Sequence, residues 1–505
     1  MKLSRRALLA AGATLPVLRR SARAAAKDTL RFGLSTYPPS LALWSNVGTS
    51  AVTVKLQTHR GLLSFAPDGT VRGELAEHWE RDGDTGWAFH LRDARFHTGA
   101  PVTAADVKWT IEQIAAPTST AYYRSLFQQV DRIDTPDART VRIVMKAPLV
   151  TLPLVLASPH MPIVPNGATE HDGVPPGAGP FVLTSQERGV GLEFKAFDKF
   201  YGAGLPKLKS LHMIVYADET LRVSALQSGD VDIIEYVPWQ SMNALGADPK
   251  IKMDATDGPF MYLIFNGKSG PFANPKLREA VAYAADREAI VKAAFYGRGR
   301  PLGGPPLVKG TEFYDEAAVN HWTYDPARAK ALMTEAGMPN GFNCTLLSNS
   351  QYGMHKSTAE VVQQNLAAIG IQAELKLPDW ATYTTLANRG QYQFAVAGGA
   401  CDNNDPDGLG SLIDGTLSPS ASRSYGMDVP GLHELLIAGE KEFDPAKRKQ
   451  IYARVMDLVL DQAPIVTLCW RSQAYAMTKD VQGFHNIPGQ LTFFSGITLE
   501  DTAFA

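Results

Sequence analysis

The hydrophobic pattern of the chain changes near residue 266. Over residues 30–265 apolar and polar positions often alternate, as in residues 87–92, and Pro and Gly interrupt the alternation. A period of two is typical of half-buried strands, so this part predicts a sheet-rich lobe. One helix is predicted after Thr103, because Asp106 completes a capping-box signal. An apolar stripe at helical spacing follows it: Val107, Ile111 and Ile114.

Beyond residue 266 the pattern predicts long amphipathic helices with clear start signals. Three sequence pairs place a capping side chain before a proline at the first helical position. They are Asn274-Pro275, Asp325-Pro326 and Asp444-Pro445. The helix that begins at the second pair is expected to end at Gly337, because glycine is the usual C-terminal cap.

Residues 344–398 predict a β-α-β-α-β unit. The predicted elements are strand 344–348, helix 357–369, strand 371–377, helix 380–388 and strand 394–398. Right-handed crossovers make such a unit a parallel sheet covered by helices, and ligands bind beyond the carboxyl ends of its strands. The segment 399–408 follows the last strand and is therefore a candidate binding site. Its candidate residues are Cys401, Asp402, Asn403 and Asp405.

The C-terminal part predicts a second chain crossing between two lobes. Residues 465–469 and 473–505 read as strand and loop without another long helix, so the chain is expected to return to the first lobe. Two crossings, near residues 266 and 473, would form a hinge. The fold class is therefore α/β with two lobes.

Composition and charge exclude several classes of protein. Apolar residues make up 45% of the 505-residue chain, and 49 Lys and Arg stand against 51 Asp and Glu, a net charge of −2. The chain lacks the basic excess of nucleic-acid-binding proteins. The apolar run 7–18 is too short to span a bilayer.

Residues 1–24 are interpreted as an export signal. Basic residues precede the apolar run, and Ala22-Arg23-Ala24 offers a cleavage site. Ser4-Arg5-Arg6 is similar to a twin-arginine signal, with an ordinary secretory signal as the alternative. Removing the six basic residues of this segment leaves a net charge of −8. The mature protein is expected in the periplasm.

No constellation of catalytic residues is found in the sequence. It has no G-x-S-x-G elbow, no H-E-x-x-H and no dinucleotide-binding turn, so the chain is predicted not to be an enzyme and to need no cofactor. The three cysteines, Cys344, Cys401 and Cys469, form no C-x-x-C motif. At most one internal disulfide can form.

Three functions are open for the acidic segment. Residues 403–408 with Asp414 resemble a calcium loop of the D-x-D-x-D-G type, although Asn403 replaces the first Asp and Pro406 restricts the turn. A solvated turn is the second alternative. The third is a carboxylate that receives a cationic group of a ligand. Aromatic residues predicted at element ends could form the walls of that site: Trp44, Trp380, Tyr383 and Trp470.

Several sequence motifs follow one another in a fixed order along the chain. The first is LAEHW at 75–79, followed by WAFHLRDARFHTGAPVTAADV at 87–107. Later blocks are GAGPF at 177–181, LQSGDVD at 226–232, NPKLREAVAYAADR at 274–287 and YDPARAKAL at 324–332. In this order the motifs resemble the family-5 extracellular solute-binding proteins of bacterial ABC importers, which bind dipeptides, oligopeptides or nickel, and the resemblance covers nearly the whole mature chain.

The resemblance implies a class II clamshell whose two lobes close over a ligand. The first lobe would comprise residues 25–265 and 473–505, with an extra subdomain at about 70–180, and the second lobe residues 266–472. A monomer is expected to deliver a peptide or another small polar solute to the membrane permease of an ABC importer. Alternatives are a protein that binds a metal chelate or a calcium-dependent solute, and a secreted hydrolase on the same fold.

The resemblance also suggests ligand-binding residues. In peptide-binding members an Asp that matches Asp402 receives the α-amino group of the peptide. Dipeptide-binding relatives carry an Arg after the strand that matches 344–348, whereas this chain has Gln351, Tyr352, His355 and Lys356 there. Tyr37 and Tyr352 complete the candidate set. A small solute other than a dipeptide is therefore an open alternative.

Overall fold

The computed structural model describes residues 27–46, 48–169 and 174–505. The predicted export signal, residues 1–24, lies outside these ranges. The described strands are β1 (Thr29–Leu34), β2 (Leu63–Phe65), β3 (Val71–Gly73), β4 (Ala76–Asp82), β5 (Gly86–Leu91), β6 (Val130–Asp134), β7 (Thr140–Met145), β8 (Phe181–Glu187), β9 (Gly191–Ala196), β10 (Ser210–Val215), β11 (Ile233–Ile234), β12 (Ile251–Phe265), β13 (Gly299–Pro301), β14 (Phe342–Leu347), β15 (Ile371–Lys376), β16 (Phe394–Gly399), β17 (Ile465–Thr478), β18 (Val481–Gln482) and β19 (Ala503–Phe504).

Helices alternate with these strands along the chain. They are α1 (Thr49–Thr58), α2 (Ala104–Ala115), α3 (Arg124–Phe127), α4 (Leu152–Leu156), α5 (Glu219–Ser228), α6 (Met242–Ala247), α7 (Pro275–Ala284), α8 (Arg287–Phe295), α9 (Glu316–Val319), α10 (Pro326–Glu335), α11 (Gly353–Ala367), α12 (Trp380–Asn388), α13 (Gly410–Ile413), α14 (Leu432–Lys441) and α15 (Pro445–Gln462). Within the described ranges, none combines the length and the apolar character that crossing a membrane requires.

One mixed sheet of eleven strands runs through both lobes. Its order is β15-β14-β16-β12-β17-β11-β1-β10-β9-β8, and β13 pairs with β17. Strands β8 to β11 and β1 form the sheet of the first lobe, whereas β14 to β16 form that of the second. The predicted two-lobed α/β class is confirmed by this sheet together with the structural neighbours reported below.

The two long strands β12 and β17 connect the lobes. They pair antiparallel from Ile251↔Thr478 to Ile264↔Ile465, and their register shifts between Asp257 and Phe260. A bulge of this kind bends a strand pair locally. The chain therefore crosses twice at one place, next to Arg471 of β17. The predicted lobe limits, 25–265 plus 473–505 and 266–472, stay a prediction.

The second lobe contains the predicted β-α-β-α-β unit. Strands β15 and β16 both pair parallel to β14. Side chains of Asn274, Asp325 and Asp444 accept hydrogen bonds from the first turns of α7, α10 and α15, as predicted. Helix α11 begins at Gly353, four residues before the predicted start, and its N-cap residue Tyr352 makes no side-chain capping bond.

An extra subdomain lies beside the first lobe. Its sheet of four antiparallel strands has the order β4-β5-β7-β6, and α2 packs against it. The predicted capping box of α2 is present, with the Asp106 carboxylate accepting from the Thr103 backbone N–H at 2.7 Å. The limits predicted for this subdomain, about 70–180, remain untested.

The C-terminal segment completes the first lobe. Residues Gly489–Asp501 form a 3-10 helix, which the prediction of strand and loop missed. It packs against α1, where Gln57 Nε2 donates to the Gly496 carbonyl oxygen at 2.9 Å. Glu500 accepts from the buried Arg60 at 2.7 Å and from Arg72 at 2.6 Å. The segment 489–501 thus holds both α1 and the chain that follows it.

The three cysteines are buried and unpaired. Burial raises the pKa of Cys344 and of Cys469 to about 12. These thiols therefore behave as small apolar side chains.

Candidate functional site

A cavity of about 580 Å³ lies between the two lobes. The first lobe contributes Ser50, Arg222 and Trp239 to its wall, and the second lobe contributes Tyr296, Tyr352 and Met354. Binding pockets for small molecules typically measure about 300–1,000 Å³ and lie at domain interfaces. A smaller cavity, of about 360 Å³, lies between α1 and residues 174–183 and is lined by the first lobe and the extra subdomain.

Arg222 of α5 shapes the wall of the first lobe. Its side chain is 2% exposed and donates to the carbonyl oxygens of Tyr216 and Tyr236, at 2.8 and 2.9 Å. Tyr236 has a φ of +53°, which is uncommon for a residue other than glycine. The Tyr236 ring stacks on Phe493. Arg222 therefore fixes the backbone of Tyr236 and, with it, the position of an aromatic ring beside the cavity.

Glu235 anchors the loop that leads into α1. Its carboxylate accepts hydrogen bonds from the Ser35 backbone N–H, the Ser35 hydroxyl and the Ser50 hydroxyl, at 2.6 to 2.9 Å. Lys55 of α1 donates to the carbonyl oxygens of Ala42, Leu43 and Ser45. These two buried side chains hold the loop that precedes α1, and Ser35 and Thr36 of this loop line the cavity.

The N-terminal turn of α11 forms the wall of the second lobe. Tyr352, which is 40% exposed, contacts the half-buried Trp380 in an edge-to-face arrangement. Trp380 in turn stacks on Tyr383 with ring centroids 5.0 Å apart. Tyr383 is 1% exposed and donates to the Val396 carbonyl oxygen. Tyr352 thus borders the cavity, while Tyr383 supports Trp380 from the core.

Asp402 lies beyond β16 and contacts the other lobe. The Tyr122 hydroxyl donates to both of its carboxylate oxygens, at 3.0 and 2.9 Å. Burial raises the pKa of Asp402 above its usual value, and the bond from Tyr122 opposes that shift. The neighbouring Cys401 is buried, and its backbone N–H donates to Gln490 Oε1 at 2.8 Å. Asp402 is therefore a partly buried carboxylate at the seam between the lobes, and it is not among the residues that line the cavity of about 580 Å³.

The other acidic side chains of the segment point to separate partners. Asp405 forms a two-point ion pair with Arg448 of α15, at 2.6 and 2.7 Å. Asp407 accepts from Thr151 of the extra subdomain at 3.0 Å. Asn403 Oδ1 accepts from the Asp405 backbone N–H. The described residues contain no group of three or more His, Cys, Asp or Glu placed to hold a metal ion.

The remaining predicted aromatic residues are parts of hydrophobic cores. Trp44 is 7% exposed, and its Nε1 donates to the Pro162 carbonyl oxygen at 3.2 Å. Tyr37 packs against the core of the first lobe. Trp470 is 6% exposed and lies against Phe260. The prediction that Trp470 ends an element is wrong, because β17 continues through the crossing for eight more residues.

Arg471 is a buried cation that the sequence analysis missed. It is 4% exposed, and its Nη1 lies 2.8 Å from Met354 Sδ in the first turn of α11. Its Nε is buried without a hydrogen-bond partner. No carboxylate of the described residues forms an ion pair with it. A sequence signal was present, since Arg471 is the single charged residue of the fourteen-residue strand β17.

Comparisons with protein families, with relatives and with solved structures agree with one another. The family model for bacterial extracellular solute-binding proteins, family 5 middle, matches residues 70–417. The glutathione-binding protein GsiB of Pectobacterium atrosepticum is 27% identical over 99% of both chains. Among solved structures, the protein AgaA from A.tumefacien R10 in complex with agropinic acid is 41% identical, covers 94% of this chain and 99% of its own, and has a TM-score of 0.84.

A more distant structure shows the same fold. The periplasmic binding protein DppA from Helicobacter pylori, in complex with the peptide STSA, is 20% identical with a TM-score of 0.80, over 95% of this chain and 98% of its own. The family resemblance drawn from the sequence motifs is thereby confirmed. The chain belongs to the family 5 bacterial extracellular solute-binding proteins, which are the periplasmic substrate-binding subunits of ABC importers.

Proposed function

We propose that this protein captures a small polar solute related to agropinic acid in the cavity between its lobes and presents it to the permease of an ABC importer. It acts as a monomeric carrier and catalyses no reaction. The observation that carries the proposal is the cavity of about 580 Å³, whose walls come from both lobes. The 41% identical relative that holds agropinic acid supports the choice of ligand.

A dipeptide or glutathione is the second candidate ligand. Asp402 favours it, because a partly buried carboxylate without a cationic partner among the described residues suits the ammonium group of a peptide. In that case the ammonium group would join or replace Tyr122 at the carboxylate. Tyr352 of the cavity wall, with Trp380 packed against it, would provide an aromatic surface for the rest of the peptide.

Titration calorimetry with agropinic acid, glutathione and the dipeptide Met-Leu tests both candidates. We expect agropinic acid to bind most tightly. Asp402→Asn separates the candidates further, since losing a charge-assisted contact in a dry site costs about 2–5 kcal/mol, or roughly 30-fold to several thousand-fold in affinity. A loss confined to the two peptides supports the second candidate. No measurable binding of any of the three compounds would contradict the proposed solute class.

Export and oligomeric state belong to the same proposal. Residues 1–24 are proposed to be removed on passage to the periplasm, with the twin-arginine route as the proposed path. Light scattering during size-exclusion chromatography should give the mass of one mature chain. A dimer at micromolar concentration would contradict the proposal that the mature protein is a monomer.

A further inference from the structure

Phe443 of the second lobe packs against the extra subdomain. It lies in the short connection between α14 and α15, and it does not belong to the hydrophobic core that the described residues of its own lobe form. Its half-buried ring lies 6.0 Å from the Trp87 ring, centroid to centroid, and the Arg81 guanidinium lies 3.9 Å from the centroid of the Phe443 ring. Arg81 and Trp87 are opposite each other in β4 and β5. A cross-strand pair of the extra subdomain therefore holds this ring.

Two hydrogen bonds join the same two parts of the molecule. The Val150 backbone N–H donates to the Glu440 carbonyl oxygen at 2.8 Å, three residues before the phenylalanine. The Thr151 hydroxyl donates to the Asp407 carboxylate at 3.0 Å. We call these residues together the clasp. Its members are Arg81, Trp87, Val150 and Thr151 of the extra subdomain, and Asp407, Glu440 and Phe443 of the second lobe.

The extra subdomain is joined firmly to the first lobe. A single hydrophobic core contains residues of the subdomain sheet, of α1 and of the segment 489–501. Phe89 of β5 and Ile143 of β7 belong to it, together with Leu56 of α1 and Ile497. Separating the subdomain from the first lobe would expose this apolar core to water, which is unfavourable. The subdomain therefore moves with the first lobe, and the clasp breaks when the two lobes separate at β12 and β17.

The clasp is separate from the cavity between the lobes. Among the described residues that line the cavity of about 580 Å³, none belongs to the clasp. Its contacts therefore stabilise the closed form without touching a solute in the cavity. Contacts that exist in one of two forms shift the population towards that form. A solute held between the lobes can leave only after the clasp has opened.

We infer that the extra subdomain acts as a clasp that keeps the two lobes closed, with Phe443 as the main contact. The inference goes beyond the choice of solute, because it concerns closure and applies to any ligand in the cavity. Arg81, Trp87 and Phe443 are then positioning residues, since they act through the relative position of the lobes. The extra subdomain thereby sets how long a captured solute is held.

The distance between two spin labels tests the clasp without any ligand. The labels are attached to Ala138→Cys in the extra subdomain and to Ala446→Cys in α15, both at exposed positions, whereas the three native cysteines are buried. Phe443→Ala removes an aromatic pair and a cation–π contact, so it should shift the ratio of closed to open protein about tenfold and add longer distances. Tyr324→Ala, which removes an exposed ring of the second lobe, should leave the distances unchanged. Equal distances in the wild type and Phe443→Ala would overturn the inference.

The rate of ligand release is the second test. In stopped-flow measurements Phe443→Ala should release agropinic acid and glutathione about tenfold faster, and by the same factor, because the clasp contacts neither ligand. Arg81→Gln should give a smaller acceleration. Adding it to Phe443→Ala should have little further effect, since both changes act through one ring. Arg95→Gln, which removes an exposed cation of the same subdomain, should release both ligands at the wild-type rate.

The two tests separate the clasp from the proposed ligand. If neither compound binds while the labels move apart in Phe443→Ala, the proposed solute is wrong and the clasp stands. If the compounds bind and Phe443→Ala releases them at the wild-type rate, the clasp is wrong and the proposed function stands. Acceleration factors that differ between the two ligands would also contradict the clasp, because they would indicate direct contact with the ligand.

Discussion

The Tyr122 hydroxyl donates to both carboxylate oxygens of Asp402, at 3.0 and 2.9 Å. Tyr122 belongs to the extra subdomain, whereas Asp402 follows the last strand of the second lobe. Other contacts join the same two parts. Thr151 donates to Asp407 at 3.0 Å, and the Val150 backbone N–H donates to the Glu440 carbonyl oxygen at 2.8 Å. Direct hydrogen bonds therefore join the extra subdomain to the second lobe in this structure.

Removing the Tyr122 hydroxyl should favour an open form. A hydrogen bond to a charged group contributes about 1.5–3 kcal/mol, and the low end applies because Tyr122 is 44% exposed. Tyr122→Phe should then shift the ratio of closed to open protein about tenfold. Small-angle scattering of the ligand-free protein should show a larger radius of gyration. Tyr324→Phe, at a ring 50% exposed on the second lobe, is the control, and an unchanged radius in Tyr122→Phe would contradict the closing role.

Three buried histidines should make the protein acid-labile. Burial lowers the pKa of His59 and of His160 to about 3 and that of His355 to about 4. In the unfolded chain a histidine has a pKa of about 6.5, so below that pH the unfolded state binds protons that the folded state does not. Stability should be unaffected above pH 6.5 and should fall as the pH drops towards 3. At pH 5 the loss is about 2 kcal/mol for each histidine.

Urea denaturation at pH 7 and pH 5 measures this loss. His160→Gln should reduce the difference between the two pH values by about 2 kcal/mol, whatever it does to stability at pH 7. His78→Gln, at an imidazole 64% exposed, should leave the difference unchanged. A difference that is equal in the wild type and His160→Gln would contradict the assignment.

The Asp405–Arg448 pair should be structural. Both side chains are largely buried, at 13% and 8% exposure, and their atoms meet at 2.6 Å. Arg448→Met leaves a buried carboxylate unpaired and should cost about 3–5 kcal/mol of unfolding free energy. Adding Asp405→Asn should restore part of this unfolding free energy.

Thermal denaturation of the wild type should give the same midpoint with calcium and with a chelator. A midpoint that rises with calcium would favour the calcium loop instead.

The proposed twin-arginine route predicts that one variant of the export signal, residues 1–24, is not exported. Changing Arg5 and Arg6 together to Lys keeps the charge but removes the paired arginines. The precursor should remain in the cytoplasm. Fractionation with an antibody measures the distribution, and changing Arg19 and Arg20 to Lys is the matched control. Normal export of the first variant would favour the ordinary secretory route.

Local signals predicted most of the elements but few of the contacts between them. Three helix starts are predictable because a cap is a local interaction, and the capping residues are Asn274, Asp325 and Asp444. The predicted start of helix α11 lies four residues after the observed one, because the side chain of its N-cap residue Tyr352 makes no capping bond. The Asp405 partner lies 43 positions away and the Asp402 partner 280 away. Neither hydrophobic spacing nor turn residues encode such pairs.

For the same reason the sequence predicts only one part of the binding site, the segment after β16. Topology and resemblance both pointed to the segment after β16, which reaches the seam between the lobes. The cavity itself is lined by α5, the loop before α1 and the start of α11, whose meeting depends on how the lobes pack. Arg471 was visible as a lone charge in β17, but its burial depends on tertiary structure.

The position of β17 between β12 and β11 has a consequence for biosynthesis. The first lobe cannot complete its sheet until the ribosome has made residues 465–478, and α1 gains its last contacts only from residues 489–501. The bonds from Gln57 to Gly496 and from Arg60 to Glu500 span 439 and 440 positions. Pairing across such separations is slow, because a long loop must close before any contact forms. A nascent chain therefore cannot complete the contacts of α1 and Arg60 until residues 489–501 have been made.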